Sequence, residues 1–312
     1  MVFRMKALVT GGAGFIGSHL TDLLLENGFE AAVVDNLSTG RRENVNAKAR
    51  FYAADIRDAA AVEKVFAAEK PEIVFHLAAQ ANARVSLDNP LLDAETNVLG
   101  SINVLEGCRK HGAKKIVYSS SCAVYGRPQA NPVTEAHAIA PVMHYGASKY
   151  AVEQYLEIYR LLYGIDFVAL RYANVYGPRQ DGKGEGGVVA VFTKKLLSGA
   201  AALTVNGDGE QTRDFVFVGD VAQANLAAAQ KSVSKRVINI GCGKETSVNG
   251  ICAALEKIIG KKAEIARAPA IAGEVKRICL DVSLAAEELG WAPRTTFEEG
   301  LRKTVEWAKQ GK

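Results

Sequence analysis

A strand that ends in glycines and turns at once into a helix constrains this chain more than any other feature. The apolar run Lys6–Thr10 leads into Gly11-Gly12-Ala13-Gly14-Phe15-Ile16-Gly17, and a helical pattern over Phe15–Asn27 follows without a spacer. Glycines at this point allow a tight turn, let backbone approach a pyrophosphate and leave room for close helix–strand packing. The anion then meets unpaired N–H groups and the positive end of the helix dipole. The run satisfies both GxGxxG and GxxGxxG spacings. Alone that is a weak signal, but the strand before it and the helix after it are the context the motif requires. A second strand, Ala31–Asp35, ends in a carboxylate 18 residues after Gly17. A carboxylate there accepts hydrogen bonds from both ribose hydroxyls of NAD and repels a 2′-phosphate. Strand-end punctuation is the alternative reading of Asp35, and Arg41 and Arg42 keep NADP use open.

The same rhythm continues through the first half. Further strands are expected at Phe51–Ala53, Ile73–Leu77, Lys115–Ser119 and Phe167–Arg171, with helices at Ala59–Glu69, Leu91–His111 and Tyr145–Tyr163. Several strands are nearly continuous apolar runs, as a parallel sheet covered on both faces requires. Alternation of this kind predicts an α/β fold, a Rossmann-type doubly wound parallel sheet. After Arg171 the rhythm breaks at the glycine-rich stretch 181–187, before a helix near Val189–Ser198; it resumes at Phe215–Gln230 and Val237–Ile240. We therefore expect an NAD-binding domain over 1–170 plus 212–243. A smaller C-terminal substrate lobe would take 171–211 plus 244–312.

Composition excludes several classes. The net charge is only +4 and the basic pairs are scattered, so no basic stripe for nucleic acid is formed. Five cysteines without a CxxC pair argue against a disulfide framework or a zinc site, and no metal is expected. The first residues lead straight into a strand, which leaves no room for a signal peptide. No stretch approaches the roughly 18 consecutive apolar residues of a membrane span. A cytoplasmic location with no membrane partner is the expectation.

Tyr145 and Lys149 stand four residues apart at a helix start, so their side chains share a face. A tyrosine titrates near 10 and is a poor base at neutral pH. A neighbouring ammonium and a positive nicotinamide would favour its phenolate, giving a base that can take a proton from a sugar hydroxyl. Ser119-Ser120-Ser121 ends the fifth strand, where open α/β sheets bind their ligands. A hydroxyl there can relay that proton and stabilise developing charge.

With these residues assembled, the chain resembles the extended short-chain dehydrogenase/reductase family, specifically UDP-glucose 4-epimerases. The resemblance runs through Thr10–Leu20, Asp35–Ser38, Asp55–Arg57, His76–Gln80, Asn97, Ser119–Gly126, Tyr145–Lys149, Leu170–Gln180 and Gly207–Val221. It implies NAD as cofactor, with contacts at Gly11, Gly14, Phe15, Ile16, Gly17, Asp35, Asn36, Ser38, Gln80 and Lys149. By the same resemblance, Asp55 and Ile56 meet the adenine, while Ala78 and Ala79 line the pyrophosphate. It makes Ser121, Tyr145 and Lys149 catalytic. The implied substrate is a UDP-sugar, contacted by Ser121, Tyr145, Asn174, Val188, Arg213, Glu274 and Ile278. Asn174 and Arg213 would face its diphosphate. The implied reaction oxidises C4 with NAD as hydride acceptor, rotates the 4-keto sugar and returns the hydride to its other face. Ile278, four positions after Glu274, would wall the pocket beside the C2 substituent and favour UDP-glucose and UDP-galactose over the N-acetylated pair.

Three positions depart from the family pattern. Met143-His144 replace the usual Ser-Pro before the tyrosine, Ile271 stands where an arginine is often found, and Cys122 replaces a small residue after Ser121. UDP-N-acetylglucosamine or UDP-glucuronate epimerisation is the alternative within the class. A nucleotide-sugar 4,6-dehydratase would resemble its relatives in carrying Asp-Glu where this chain has Cys122-Ala123. An NAD(P)-sensing scaffold would be expected to have lost one of Ser121, Tyr145 and Lys149. Finally, Glu153, Gln154, Glu157 and Arg160 are the polar face of helix 145–163, leaving an apolar surface wider than a surface helix needs. A homodimer through helices 91–111 and 145–163 is expected.

Overall fold

The computed structural model describes residues 5–181, 187–270 and 275–311. Its first half runs β1 (Lys6–Thr10), α1 (Phe15–Glu26), β2 (Glu30–Asp35), β3 (Arg50–Ala53), α2 (Ala59–Glu69) and β4 (Ile73–His76). There follow α3 (Ala83–Asp88), α4 (Pro90–Ala94), α5 (Gly100–His111), β5 (Lys115–Ser121), α6 (His144–Tyr163) and β6 (Asp166–Tyr172). The second half contains β7 (Asn174–Tyr176), α7 (Val188–Leu197), β8 (Ala202–Asn206), β9 (Thr212–Phe217), α8 (Val218–Gln230) and β10 (Val237–Ile240). It ends with β11 (Glu245–Ser247), α9 (Val248–Ile259), β12 (Glu264–Ala268), β13 (Arg277–Ile278), α10 (Ser283–Leu289) and α11 (Phe297–Lys309).

Seven parallel strands form the central sheet in the order β10-β6-β5-β4-β1-β2-β3. The order in which the chain adds strands reverses between β1 and β4, and the carboxyl ends there open the crevice in which such sheets bind ligands. The apolar strands are explained by their two covered faces. Ala7, Val9, Val33 and Phe75 join a core with Leu20 and Leu24 of α1 and Val221 of α8. Their neighbours Leu8, Ala32, Val34 and Val74 point the other way, against Val62 and Phe66 of α2, Leu105 of α5 and Leu156 of α6. Each fully buried Val, Leu or Phe among these contributes on the order of 1.5–3 kcal/mol. The predicted Rossmann-type sheet is thus the observed one.

A third core, with Tyr176, Phe192, Leu203, Phe215, Ile251 and Leu301, lies under the C-terminal elements. There β9 pairs antiparallel with β11 and parallel with β7 and β13, outside the central sheet. Helix α8, which follows β9 directly, returns to pack on α1.

Two helix expectations need correction. The single helix at 91–111 is interrupted: a π-turn at Glu95–Leu99 separates α4 from α5. Such bulges insert an extra residue into the i→i−4 ladder and reorient one side chain, here Asn97. Glu153, expected on the polar face of α6, is instead only 3% exposed. It turns inward because Arg171 of β6 offers it a partner, as described below. Among the described residues, no helix is long and apolar enough to cross a membrane.

Candidate active site

The phosphate turn follows from its glycines. Gly11 adopts φ +72°, and a Cβ there would stand 2.7 Å from the Ala78 backbone nitrogen. A Cβ on Gly17 would lie 2.2 Å from the Gly11 carbonyl, so α1 can approach the turn only as glycine. Gly14 caps α1 without a side-chain hydrogen bond, which leaves the first-turn N–H groups facing the cleft. At the end of β2, Asp35 is held by the backbone N–H groups of Ala13 at 3.0 Å and Leu37 at 2.8 Å. Nearby, Asp55 accepts from Arg57 at 2.7 and 3.0 Å and from Asn36 at 2.9 Å, and these bonds hold its carboxyl well below the usual range. The basic residues that kept NADP open are both engaged. Arg41 is 3.9 Å from Asp181, and Arg42 lies over the Phe51 ring.

Below the turn a buried relay fixes the loop after β4. Ser101 Oγ donates to the Asn97 carbonyl, so its oxygen accepts from His76 Nε2, 2.8 Å away. His76 Nδ1 then accepts from Thr10 Oγ1 at 2.7 Å, and that oxygen accepts from the Ala78 N–H at 3.2 Å. The network assigns the Nε2–H tautomer. Burial keeps the ring neutral, pulling it down to about 3. The reoriented Asn97 amide joins Gln80, Asp93 and Ser148 of α6.

Each serine at the end of β5 does a different job. The Ser119 carbonyl accepts from Lys149 Nζ at 2.8 Å. Ser120 Oγ donates to Glu153 at 2.6 Å. Ser121 Oγ accepts from the Ala123 N–H at 3.2 Å, and its hydroxyl favours the ionised form of the Tyr145 phenol. Tyr145 and Lys149 do share a face, with Nζ 5.9 Å from the phenol ring centre. Burial nevertheless dominates both groups. It raises Tyr145 to about 12, against the lowering expected from its ammonium neighbour, and lowers Lys149 to about 8. Desolvation disfavours either charged form when it is considered without its partner.

One cleft of about 310 Å³ is lined by Gly11, Gly14, Phe15, Ile16, Gly17, Asp35, Asn36, Ser38, Asp55, Ile56, Ala78, Ala79, Ser121, Tyr145 and Lys149. Gln80 lines an adjoining cavity of about 510 Å³ that shares Gly14, Phe15, Asn36, Ser38 and Ala79 with it. Of the expected substrate residues, Ser121 and Tyr145 line the first cleft, while Asn174, Val188, Arg213 and Ile278 line neither. Asn174 is exposed on β7, and Val188 is half-buried at the start of α7. Arg213 is half-buried on β9, paired in register with Ile278, whose side chain is buried. Glu274 and the departure at Ile271 lie outside the described residues. His144 is exposed, and Cys122 is half-buried with its thiol pushed up to about 12.

Sequence reasoning passed over Asp214, beside Arg213. Its buried carboxylate accepts from the N–H groups of Cys242, Gly243 and Leu280 at 2.7–3.2 Å, tying β9 to the segments after β10 and β13. A carboxylate inside the apolar stretch Phe215–Val218 and its flank was the only available signal. It was legible as unusual, not as a three-amide acceptor.

The comparisons agree with this geometry. A UDP-glucose 4-epimerase of Mycolicibacterium smegmatis is 43% identical over 309 residues, covering 97% of this chain and 98% of that one. The structure of a Thermotoga maritima UDP-glucose 4-epimerase with UDP-glucose matches at TM-score 0.96 and 46% identity, covering 98% of this chain and 99% of that one. That of a Thermus thermophilus UDP-glucose 4-epimerase with NAD matches at TM-score 0.93 and 43% identity, with 98% and 99% covered. The model of the NAD dependent epimerase/dehydratase family matches residues 7–241, and the chain belongs to that family.

Proposed function

We propose that this chain catalyses NAD-dependent 4-epimerisation of a UDP-sugar, with UDP-glucose and UDP-galactose as the preferred pair. The observation that carries the reading is a single cleft joining the phosphate turn and Asp35 to Ser121, Tyr145 and Lys149. The cleft fits the cofactor on its own terms: glycines at 11 and 17 let the turn pack against the loop after β4 and the start of α1, so that bare backbone lines the cleft, and the Asp35 carboxylate ends β2 inside it. Gly11, Gly14–Gly17, Asn36, Ser38, Ala78, Ala79, Gln80 and Lys149 would hold the dinucleotide, with Asp55 and Ile56 at its adenine. NAD, when bound, supplies the acceptor and donor of the C4 hydride and a positive charge beside the phenol.

Within that arrangement Tyr145 takes the proton of the sugar 4-hydroxyl and later returns it. Ser121 bridges the sugar oxygen and the phenol, and Lys149 provides the ammonium that offsets the phenolate. Asn174, Val188, Arg213, Glu274 and Ile278 are proposed for the nucleotide-sugar, Arg213 because a guanidinium gives bidentate bonds to a diphosphate. UDP-N-acetylglucosamine and UDP-glucuronate are the alternative substrates. Dehydration is disfavoured because the thiol of Cys122 stays protonated and Ala123 carries no acid. We also propose the division into a cofactor-binding unit (1–170 plus 212–243) and a substrate lobe (171–211 plus 244–312). The core under the C-terminal elements supports a separate lobe, and because it includes Phe215 and Phe217 that lobe also takes in β9.

A homodimer through residues 91–111 and 145–163 is part of the same reading. Leu91, Leu161 and Leu162 are 72%, 65% and 67% exposed, and Tyr155, Ile158 and Leu162 share one face of α6. Exposed apolar area of this kind marks an interface.

The test is epimerisation of the three UDP-sugar pairs side by side, in wild type and Tyr145→Phe. Wild type should turn over the glucose/galactose pair best. Tyr145→Phe should keep its fold and NAD yet lose at least ~10²-fold in rate, the scale of general acid–base catalysis. A variant within a few-fold of wild type would remove Tyr145 from the mechanism.

A further inference from the structure

We infer that the buried ion pair of Glu153 and Arg171 is the positioning device that holds the Ser121 turn and the Tyr145–Lys149 helix in mutual register; this rests on the roles proposed above for those three residues. Neither partner lines the cleft, so neither touches the reacting atoms. Glu153 lies on α6 one turn beyond Lys149. Its Oε1 accepts from Arg171 Nε at 3.0 Å and from Ser120 Oγ at 2.6 Å, and its Oε2 accepts from Arg171 Nη2 at 2.6 Å. Arg171 stands on β6 directly opposite Ser120 of β5. Its Nη1 donates to the Tyr125 hydroxyl at 3.0 Å, and that hydroxyl donates to Asn239 of β10 at 2.7 Å.

Contacts just before Ser121 and four residues after it therefore run to the same two charges. Ser121 itself caps the short turn Cys122–Tyr125 between those anchors. The carboxylate that receives them is carried by the helix bearing Tyr145 and Lys149. Rotating α6 by one residue would swing Glu153 through about 100° and break the bidentate bond. Stability alone is a poor reason for the pair, because a buried ion pair often gains nothing over apolar side chains of the same volume. Its distinctive contribution is direction: a planar guanidinium and a carboxylate fix angle as well as distance. The strand end and the helix otherwise meet through the Lys149 bond to the Ser119 carbonyl, made by a flexible side chain, and through apolar packing, which tolerates sliding.

The experiment is the full-length double variant Glu153→Met/Arg171→Met, which removes both charges at similar volume. It should melt within a few degrees of wild type, retain NAD and keep KM for UDP-galactose within threefold, while kcat falls at least tenfold. A folded double variant with kcat within threefold of wild type overturns the inference. If the double variant does not fold, Ser120→Ala and Arg171→Lys replace it: lowered kcat at unchanged KM supports the pair's role, and full kcat in both overturns it. Tyr145→Phe measured alongside separates the two ideas. An active Tyr145→Phe defeats the proposed base, whereas an inactive Tyr145→Phe beside a fully active double variant defeats the positioning role alone.

Discussion

Lys149 spends its charge in a buried place, and that has a measurable consequence. Burial lowers it to about 8 from an ordinary 10.5, with Asp93 and Glu153 acting in the opposite sense. Between those pH values the unfolded chain holds a proton that the folded chain lacks, so this group's contribution to stability rises with pH across the window. The gap is worth on the order of 3 kcal/mol. Lys149→Met should therefore be more stable than wild type at pH 7, with the advantage shrinking toward pH 10. Urea melts at several pH values read this directly, and a constant difference would mean that Lys149 is not titrating there. Asp35 makes the complementary case. Asp35→Ala should weaken NAD far more than NADP, by removing the ribose acceptor and the repulsion of a 2′-phosphate. Titration of both cofactors into cofactor-free protein tests it; equal losses would leave Asp35 a purely structural role at the Ala13 and Leu37 amides. Both residues were legible in the sequence by type and spacing. The ionisation of Lys149 was not, because desolvation depends on which other elements close over a group.

At the scale of elements, the strand–turn–helix of β1 and α1 is set almost wholly by local sequence. Gly11 needs a positive φ and has backbone 2.7 Å from any Cβ, whereas Gly112 at the end of α5 has φ +78° and open space around it. Gly112→Ala should cost about 1 kcal/mol, the strain of a left-handed residue. Gly11→Ala should cost more, about 2–4 kcal/mol with the backbone clash included, and should weaken NAD as well. Similar denaturation midpoints for the two variants would show that the cradle can relax. The 91–111 helix shows the limit of local reading. Its apolar pattern gave a helix, but the π-turn at Glu95–Leu99 accompanies an Asn97 amide that meets Asp93 in its own segment and Gln80 and Ser148 from elsewhere. Periodicity cannot register a side chain whose partners arrive from two other segments.

For the molecule as a whole, the apolar surface of α6 asks for cover. The paired substitution Leu161→Glu/Leu162→Glu should convert a dimer into a monomer in sedimentation, with little change in melting temperature because both side chains are largely exposed in the single chain. A wild-type monomer at micromolar concentration would overturn the proposed dimer. The strand–helix alternation, the glycine turn and the pairing of Tyr145 with Lys149 were legible in the sequence alone, since each rests on local periodicity, a turn or one helical turn. Tertiary structure alone decided that β9 leaves the central sheet, that Asp214 collects three amides from two distant segments, and that Glu153 turns inward to Arg171. The last two share a physical reason: a polar side chain can be buried only where partners converge on it, and those partners come from other elements. Strand β9 leaves the sheet by pairing with β7, β11 and β13, strands that lie on either side of it in sequence.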